Sequence, residues 1–126
     1  MENNTAVKSF YEMLGEEKIR QLVFHFYELV YADPTISHLF TNDIEEVRDK
    51  QFRFLCQFLG GPAYYIEKYG PPRMRQRHLP HPIDQQAKDA WLSCMKTAIS
   101  KLDLHPHLAQ SLYDCFPKLA NHMVNK

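Results

Sequence analysis

Ile19, Leu22, Val23, Phe26, Tyr27 and Val30 recur at intervals of three and four residues, which confines this stretch of the chain to an amphipathic α-helix. Glu16 and Glu17 open it at the positive end of the helix dipole. Gly15 separates it from a short preceding turn that carries Phe10, Tyr11 and Leu14. Asp33-Pro34 ends it, because proline lacks the N–H that the next turn needs and crowds the residue before it. A compact turn follows, with Ile36, Leu39 and Phe40 directed inward. The pattern then repeats. Ile44, Val47, Gln51, Phe54, Leu55 and Phe58 share one face behind a cap in Thr41-Asn42-Asp43, and Gly60-Gly61-Pro62 stops that helix. Ala87, Trp91, Cys94, Met95, Ala98 and Leu102 form a third stripe, capped by Asp84. Leu108, Leu112, Cys115, Phe116, Leu119 and Met123 form a fourth, started by Pro106 and bent at Pro117. Residues 62–72 hold three prolines, Gly70 and three tyrosines without a helical period, and read as a loop. No strand pattern, repeat or linker interrupts this series. The expected fold is all-α with four main helices.

At 126 residues the chain has the length of one domain with a real core. Residues 1–9 are polar and read as a flexible extension, and residues 10–126 as the domain. With 15 acidic and 15 basic side chains the formal net charge is zero, so no global field draws the protein to nucleic acid or an anionic membrane. No apolar run reaches the length of a membrane span, and residues 1–9 lack the apolar centre of a signal peptide. A cytoplasmic protein is expected. Cys56, Cys94 and Cys115 form no CxxC pair and fall on apolar stripes, so they read as small core residues.

The chemistry gathers in two places. The stretch from Arg73 through His78 to Pro82 sets arginines at positions 73, 75 and 77 before one histidine, then closes on Pro80 and Pro82. His78 therefore belongs to the last turn of a short helix, where its second ring nitrogen is expected to donate to the carbonyl of Met74. An imidazole fixed there, among guanidiniums, suits one neutral nitrogen ligand with cations for anionic groups. In isolation the segment also reads as a basic surface loop. His81, between two prolines, is off-helix, while His25, His38, His105, His107 and His122 read as surface or cap residues.

The second place is the interior. Tyr27, Gln51 and Trp91 each bring a hydrogen-bond donor to the apolar stripe of a different helix. Any one alone is a core residue whose polar tip needs a partner; three together make a donor cluster around a small polar ligand. An imidazole on one side, donors on the other and aromatic walls describe a haem pocket. Haem carries two carboxylates, and Lys50, Tyr65, Arg75 and Arg77 are the candidates to meet them.

Phe26-Tyr27, Lys50-Gln51-Phe52, Phe58-Leu59-Gly60-Gly61-Pro62, Arg75-x-Arg77-His78, Ala90-Trp91-Leu92 and Asn121 to Asn125 occur in an order that resembles the group II truncated haemoglobins. The resemblance runs from about Tyr11 to Asn125 and implies a shortened globin fold, two helices packed over two around haem b. It implies His78 as the iron ligand, and Tyr27, Gln51 and Trp91 as the groups facing the gas. It also implies Phe40 against the porphyrin, Phe54 and Leu55 in the wall, and Lys50, Tyr65 and Arg77 at the carboxylates. Val47 takes the gate position where many globins carry histidine, so it cannot hydrogen-bond the gas. Gly70-Pro71-Pro72-Arg73 departs from the usual Gly-His-Pro-Met of close relatives, which bears on the path of the loop rather than on the ligand.

The implied function is the binding of oxygen and other diatomic gases. The family is often assigned nitric oxide or peroxide detoxification on bound oxygen, supported by a reductase that the sequence does not identify. A haem-based gas sensor and a cofactor-free helical interaction module are the competing readings, and a monomer or weak homodimer the expected assembly. No acid lies in residues 73–83, so the carboxylate that makes a proximal histidine strongly basic in peroxidases is not supplied locally.

Overall fold

The computed structural model describes residues 8–40, 43–73 and 82–125. His78, with Met74, Arg75, Arg77 and His81, lies outside the described residues. Helix α1 (Phe10–Ala32) is followed by a 3-10 turn (Ser37–Leu39), α2 (Ile44–Phe58), α3 (Tyr64–Tyr69), α4 (Gln85–Ser100), α5 (Pro106–Tyr113) and α6 (Pro117–His122). No strand occurs among the described residues, and none of their helices is long and apolar enough to cross a membrane.

Helix α1 is the centre of the assembly, packed on α2 along one side and on α4 along another. Ser9 opens it with a reciprocal cap: its side chain accepts from the Glu12 amide, and Glu12 accepts from the Ser9 amide. At Gly15 the backbone leaves the helical region (φ 79°, ψ 160°), so the expected break is present within one continuous element. The kink bends the first turn toward the end of α2, where the Tyr11 amide donates to the Leu59 carbonyl at 3.0 Å. Gly61 permits this approach. A Cβ there would lie 2.5 Å from the Tyr11 ring and 2.8 Å from the Cys56 carbonyl. Asp33 ends α1 as expected, its amide turning back to the Val30 carbonyl.

Asp43 caps α2 and Asp84 caps α4, each carboxylate accepting from the amide three residues on. Helix α2 buries more than the expected stripe. Phe54 and Leu55 are buried on it, but so are Phe52 and Cys56, because α1 and α3 cover a second side of the helix. Phe58 lies over the edge, 38% exposed, touching both Phe54 and Phe116.

Two expectations need correction. Residues 64–69 are helical rather than loop, since each tyrosine of α3 finds a separate tertiary partner. The Tyr64 hydroxyl donates to Glu16 at 2.7 Å, Tyr65 is buried edge-on to Phe54, and the Tyr69 hydroxyl donates to Asp49 at 2.7 Å. The C-terminal stripe is two helices, not one bent helix, with Phe116 fully buried at the break and Pro117 opening α6. Full burial of such a side chain stabilises by about 1.5–3 kcal/mol, which compensates the lost helical bonds. Cys56 and Cys94 are core residues, but Cys115 sits in that break and is only half-buried. Asn125, the last described residue, exchanges two 2.9 Å hydrogen bonds with the Ile83 backbone just ahead of α4.

Candidate functional site

An unbroken series of ring contacts joins the described elements that carry predicted site residues. It runs from Tyr69 through Tyr65, Phe54, Phe58, Phe116, Trp91, Phe26 and Tyr27 to Phe40. Each step has the edge-on, tilted or offset geometry that aromatic quadrupoles favour. Phe26 is the keystone of the upper half. Its fully buried ring meets Tyr27 at 4.9 Å and Trp91 at 5.1 Å, so donors from α1 and α4 are brought to the same part of the core.

Tyr27 is 4% exposed. Burial pushes its phenol above the usual range, with Tyr31 adding to the rise, so it remains a neutral O–H donor. Phe40, half-buried after the 3-10 turn, stands edge-on to it at 5.9 Å. Trp91 is half-buried on α4, braced by Phe26 and by Phe116 at 5.9 Å. Gln51 is half-buried on α2, one turn beyond Val47 and one turn before Phe54 and Leu55. The three donors do not satisfy one another. The Tyr27 hydroxyl, the Gln51 amide and the Trp91 indole N–H make no hydrogen bond to any described residue.

Lys50 adjoins Gln51 and is half-buried, its ammonium 5.4 Å from the centre of the Tyr69 ring. It makes no ion pair with a described residue. Asp49, its chain neighbour, is engaged elsewhere: its carboxylate accepts from Tyr69 at 2.7 Å, Lys68 at 2.9 Å and Arg53 at 3.0 Å. Burial alone would raise Asp49, but these donors outweigh it and bring the carboxyl down to about 2. Asp49 and Tyr69 went unnoticed in the sequence. For Tyr69 the four-residue spacing from Tyr65 becomes informative once that segment is helical, while Asp49 is identified only by its tertiary contact with Tyr69.

The cysteines are not competing ligands among the described residues. Burial pushes the Cys56 and Cys94 thiols up to about 11, and no cluster of His, Cys, Asp and Glu there could hold a metal ion. Of the other histidines, His105 caps α5 by accepting from the His107 amide, and His25 is half-buried edge-on to Phe24. His38, His107 and His122 are exposed.

The sequence model of the family described as bacterial-like globin matches residues 9–125. The group 2 truncated hemoglobin YjbI of Bacillus subtilis is 45% identical over 116 residues, covering 92% of this chain and 88% of that protein. The crystal structure of the group II truncated hemoglobin from Bacillus anthracis superimposes with a TM-score of 0.91 at 38% identity, over 97% of this chain and 95% of that one. The X-ray structure of truncated oxygen-avid haemoglobin from Bacillus subtilis gives 0.88 at 44% identity, over 94% and 100%.

Proposed function

The chain belongs to the bacterial-like globins, among the group II truncated haemoglobins, and on that premise we propose that it holds haem b through His78 and retains oxygen with three donors, Tyr27, Gln51 and Trp91. Membership of this family implies a haem cofactor and the binding of oxygen and other gases. Haem, held by these residues, would supply an iron able to bind a diatomic gas. The observation that carries the finer reading is the set of donors on α1, α2 and α4 that satisfy neither one another nor any described residue. A cofactor-free module gives these three polar groups on apolar stripes no partner among the described residues. Lys50, charged and without an ion pair among the described residues, fits a carboxylate at the rim in the same way.

The residues divide the work. Phe40 and Phe54 form apolar wall, Val47 keeps the gate free of a hydrogen-bonding group, and Lys50, Tyr65 and Arg77 take the carboxylates. Tyr27, Gln51 and Trp91 would donate hydrogen bonds to a polar diatomic ligand. Each such bond contributes on the order of 1 kcal/mol, and more to a charged acceptor, so two or three slow oxygen escape by a few orders of magnitude. Slow escape favours chemistry on oxygen over transport. Nitric oxide or peroxide detoxification, fed by a reductase, is the reading that follows.

The test is haem retention in two variants. His78→Gly is expected to lose the absorption band near roughly 400 nm that marks histidine-ligated haem, and to regain it with free imidazole. If His81→Ala loses the band and His78→Gly keeps it, the ligand assignment is wrong.

A further inference from the structure

We propose that Tyr69 is the positioning residue of the pocket rim, held by Asp49 and in turn fixing Lys50 and Tyr65. The proposal rests on the reading that Lys50 and Tyr65 meet the haem carboxylates, and adds the pair that sets both of them. Three observations support it.

The first is that Tyr69 stands between the two groups. Its ring centre lies 5.4 Å from the Lys50 ammonium and 5.2 Å from the Tyr65 ring. Tyr65 is buried and continues to Phe54 at 6.1 Å, so the contact leads directly into the pocket wall. The second is that Tyr69 is itself fixed. Its hydroxyl donates to Asp49 Oδ2 at 2.7 Å, and the same oxygen receives Lys68 at 2.9 Å and Arg53 at 3.0 Å. The bond ties the last residue of α3 to the middle of α2.

The third is electrostatic. A ring orients an ammonium through its quadrupole but gives it no counter-charge, so Lys50 keeps its full charge for an external anion. Asp49 is next to Lys50 in sequence, yet adjacent residues on a helix do not face each other. Its carboxylate is already occupied by Tyr69, Lys68 and Arg53. The arrangement thus holds a lysine in place without neutralising it, a property a direct Asp49–Lys50 pair would destroy.

The experiment compares two cofactors in the full-length holoprotein: haem, and haem with both carboxylates converted to methyl esters. The rate of cofactor loss to excess apomyoglobin is measured for the parent, Lys50→Ala, Tyr69→Leu and Tyr69→Phe. Tyr69→Leu is expected to speed the loss of haem roughly two- to fivefold, the scale of an exposed cation–π contact, and to leave the diester unchanged. Tyr69→Phe, which keeps the ring and loses the Asp49 bond, gives a smaller change of the same kind. It decides the matter by the same comparison if Tyr69→Leu does not fold. Equal acceleration of both cofactors by the Tyr69 variants overturns the proposal, since a purely structural residue would act so. If only the Tyr69 variants fail to discriminate while Lys50→Ala does, the positioning role falls and the carboxylate reading stands. If Lys50→Ala also treats the two cofactors alike, both fall.

Discussion

Phe40 presents its ring edge-on to Tyr27, with centroids 5.9 Å apart and planes at 72°. The residue proposed to pack on the porphyrin is therefore also one of the rings, with Phe26, that hold the Tyr27 ring in place. An aromatic pair of this kind contributes about 0.5–1.5 kcal/mol beyond its buried area. Phe40→Leu keeps an apolar wall but removes one of the rings that hold Tyr27, leaving Phe26 and Tyr31. Oxygen dissociation should quicken by less than about tenfold, because only the placement of one donor is loosened. Stopped-flow release from the ferrous protein checks this, and no change would separate Phe40 from the donor set.

The Gly61 contact gives a prediction about the fold. A Cβ at that position would meet Tyr11 and the Cys56 carbonyl, and a backbone oxygen cannot step aside as a flexible side chain can. Gly61→Ala should cost about 1–3 kcal/mol in urea unfolding, the range for overpacking a close contact. An unaffected midpoint would mean that the first turn of α1 does not hold to the end of α2.

Asp49 makes stability depend on acid. Its carboxyl lies at about 2 in the folded protein, against an unfolded value of about 3.9. A lowered pKa contributes stability that is fully present above the unfolded value and is lost as pH falls through the folded one. Asp49→Asn should therefore be less stable than the parent at neutral pH, by less than about 1 kcal/mol for such partly exposed pairs. The gap should narrow from near pH 4 and close near pH 2. Urea titrations at neutral, mildly acidic and strongly acidic pH check this, and a gap independent of pH would assign the loss to packing.

The parts of this molecule legible in its sequence are those decided by local chemistry. Gly15, Asp33-Pro34, Asp84 and Pro106 each act through their own backbone or cap, and each stands where its residue type requires. Tyr27, Gln51 and Trp91 stand out for a related reason: a polar group on an apolar stripe is visible without knowing what it faces, and their role as donors is the proposal. Helix α3 was not legible, because its six residues hold a single four-residue spacing, Tyr65 to Tyr69, and Tyr64 turns away to Glu16, too little for a helical period. The break before α6 was hidden likewise, since Phe116 continues the apolar period while its burial is supplied by Trp91 and Phe58.

On the proposed reading, Lys50→Ala removes a charge at the rim rather than in the pocket. Haem loss should quicken modestly, on the scale of an exposed ion pair at about 0–1 kcal/mol. The visible spectrum of the oxygen complex should be unaltered. A large spectral change would place the lysine inside the pocket.

The donor account is tested most directly at Trp91. Its indole N–H can only donate, so it cannot turn to accept as Tyr27 or Gln51 can, and Phe26 and Phe116 brace the ring. Oxygen and carbon monoxide dissociation are to be measured in Trp91→Phe, Tyr27→Phe and Gln51→Leu. The account predicts that Trp91→Phe accelerates oxygen release most, and carbon monoxide release much less, because carbon monoxide carries less charge for a donor to meet. Equal acceleration of both gases would make Trp91 a steric lid, and an unchanged oxygen rate would remove it from the site.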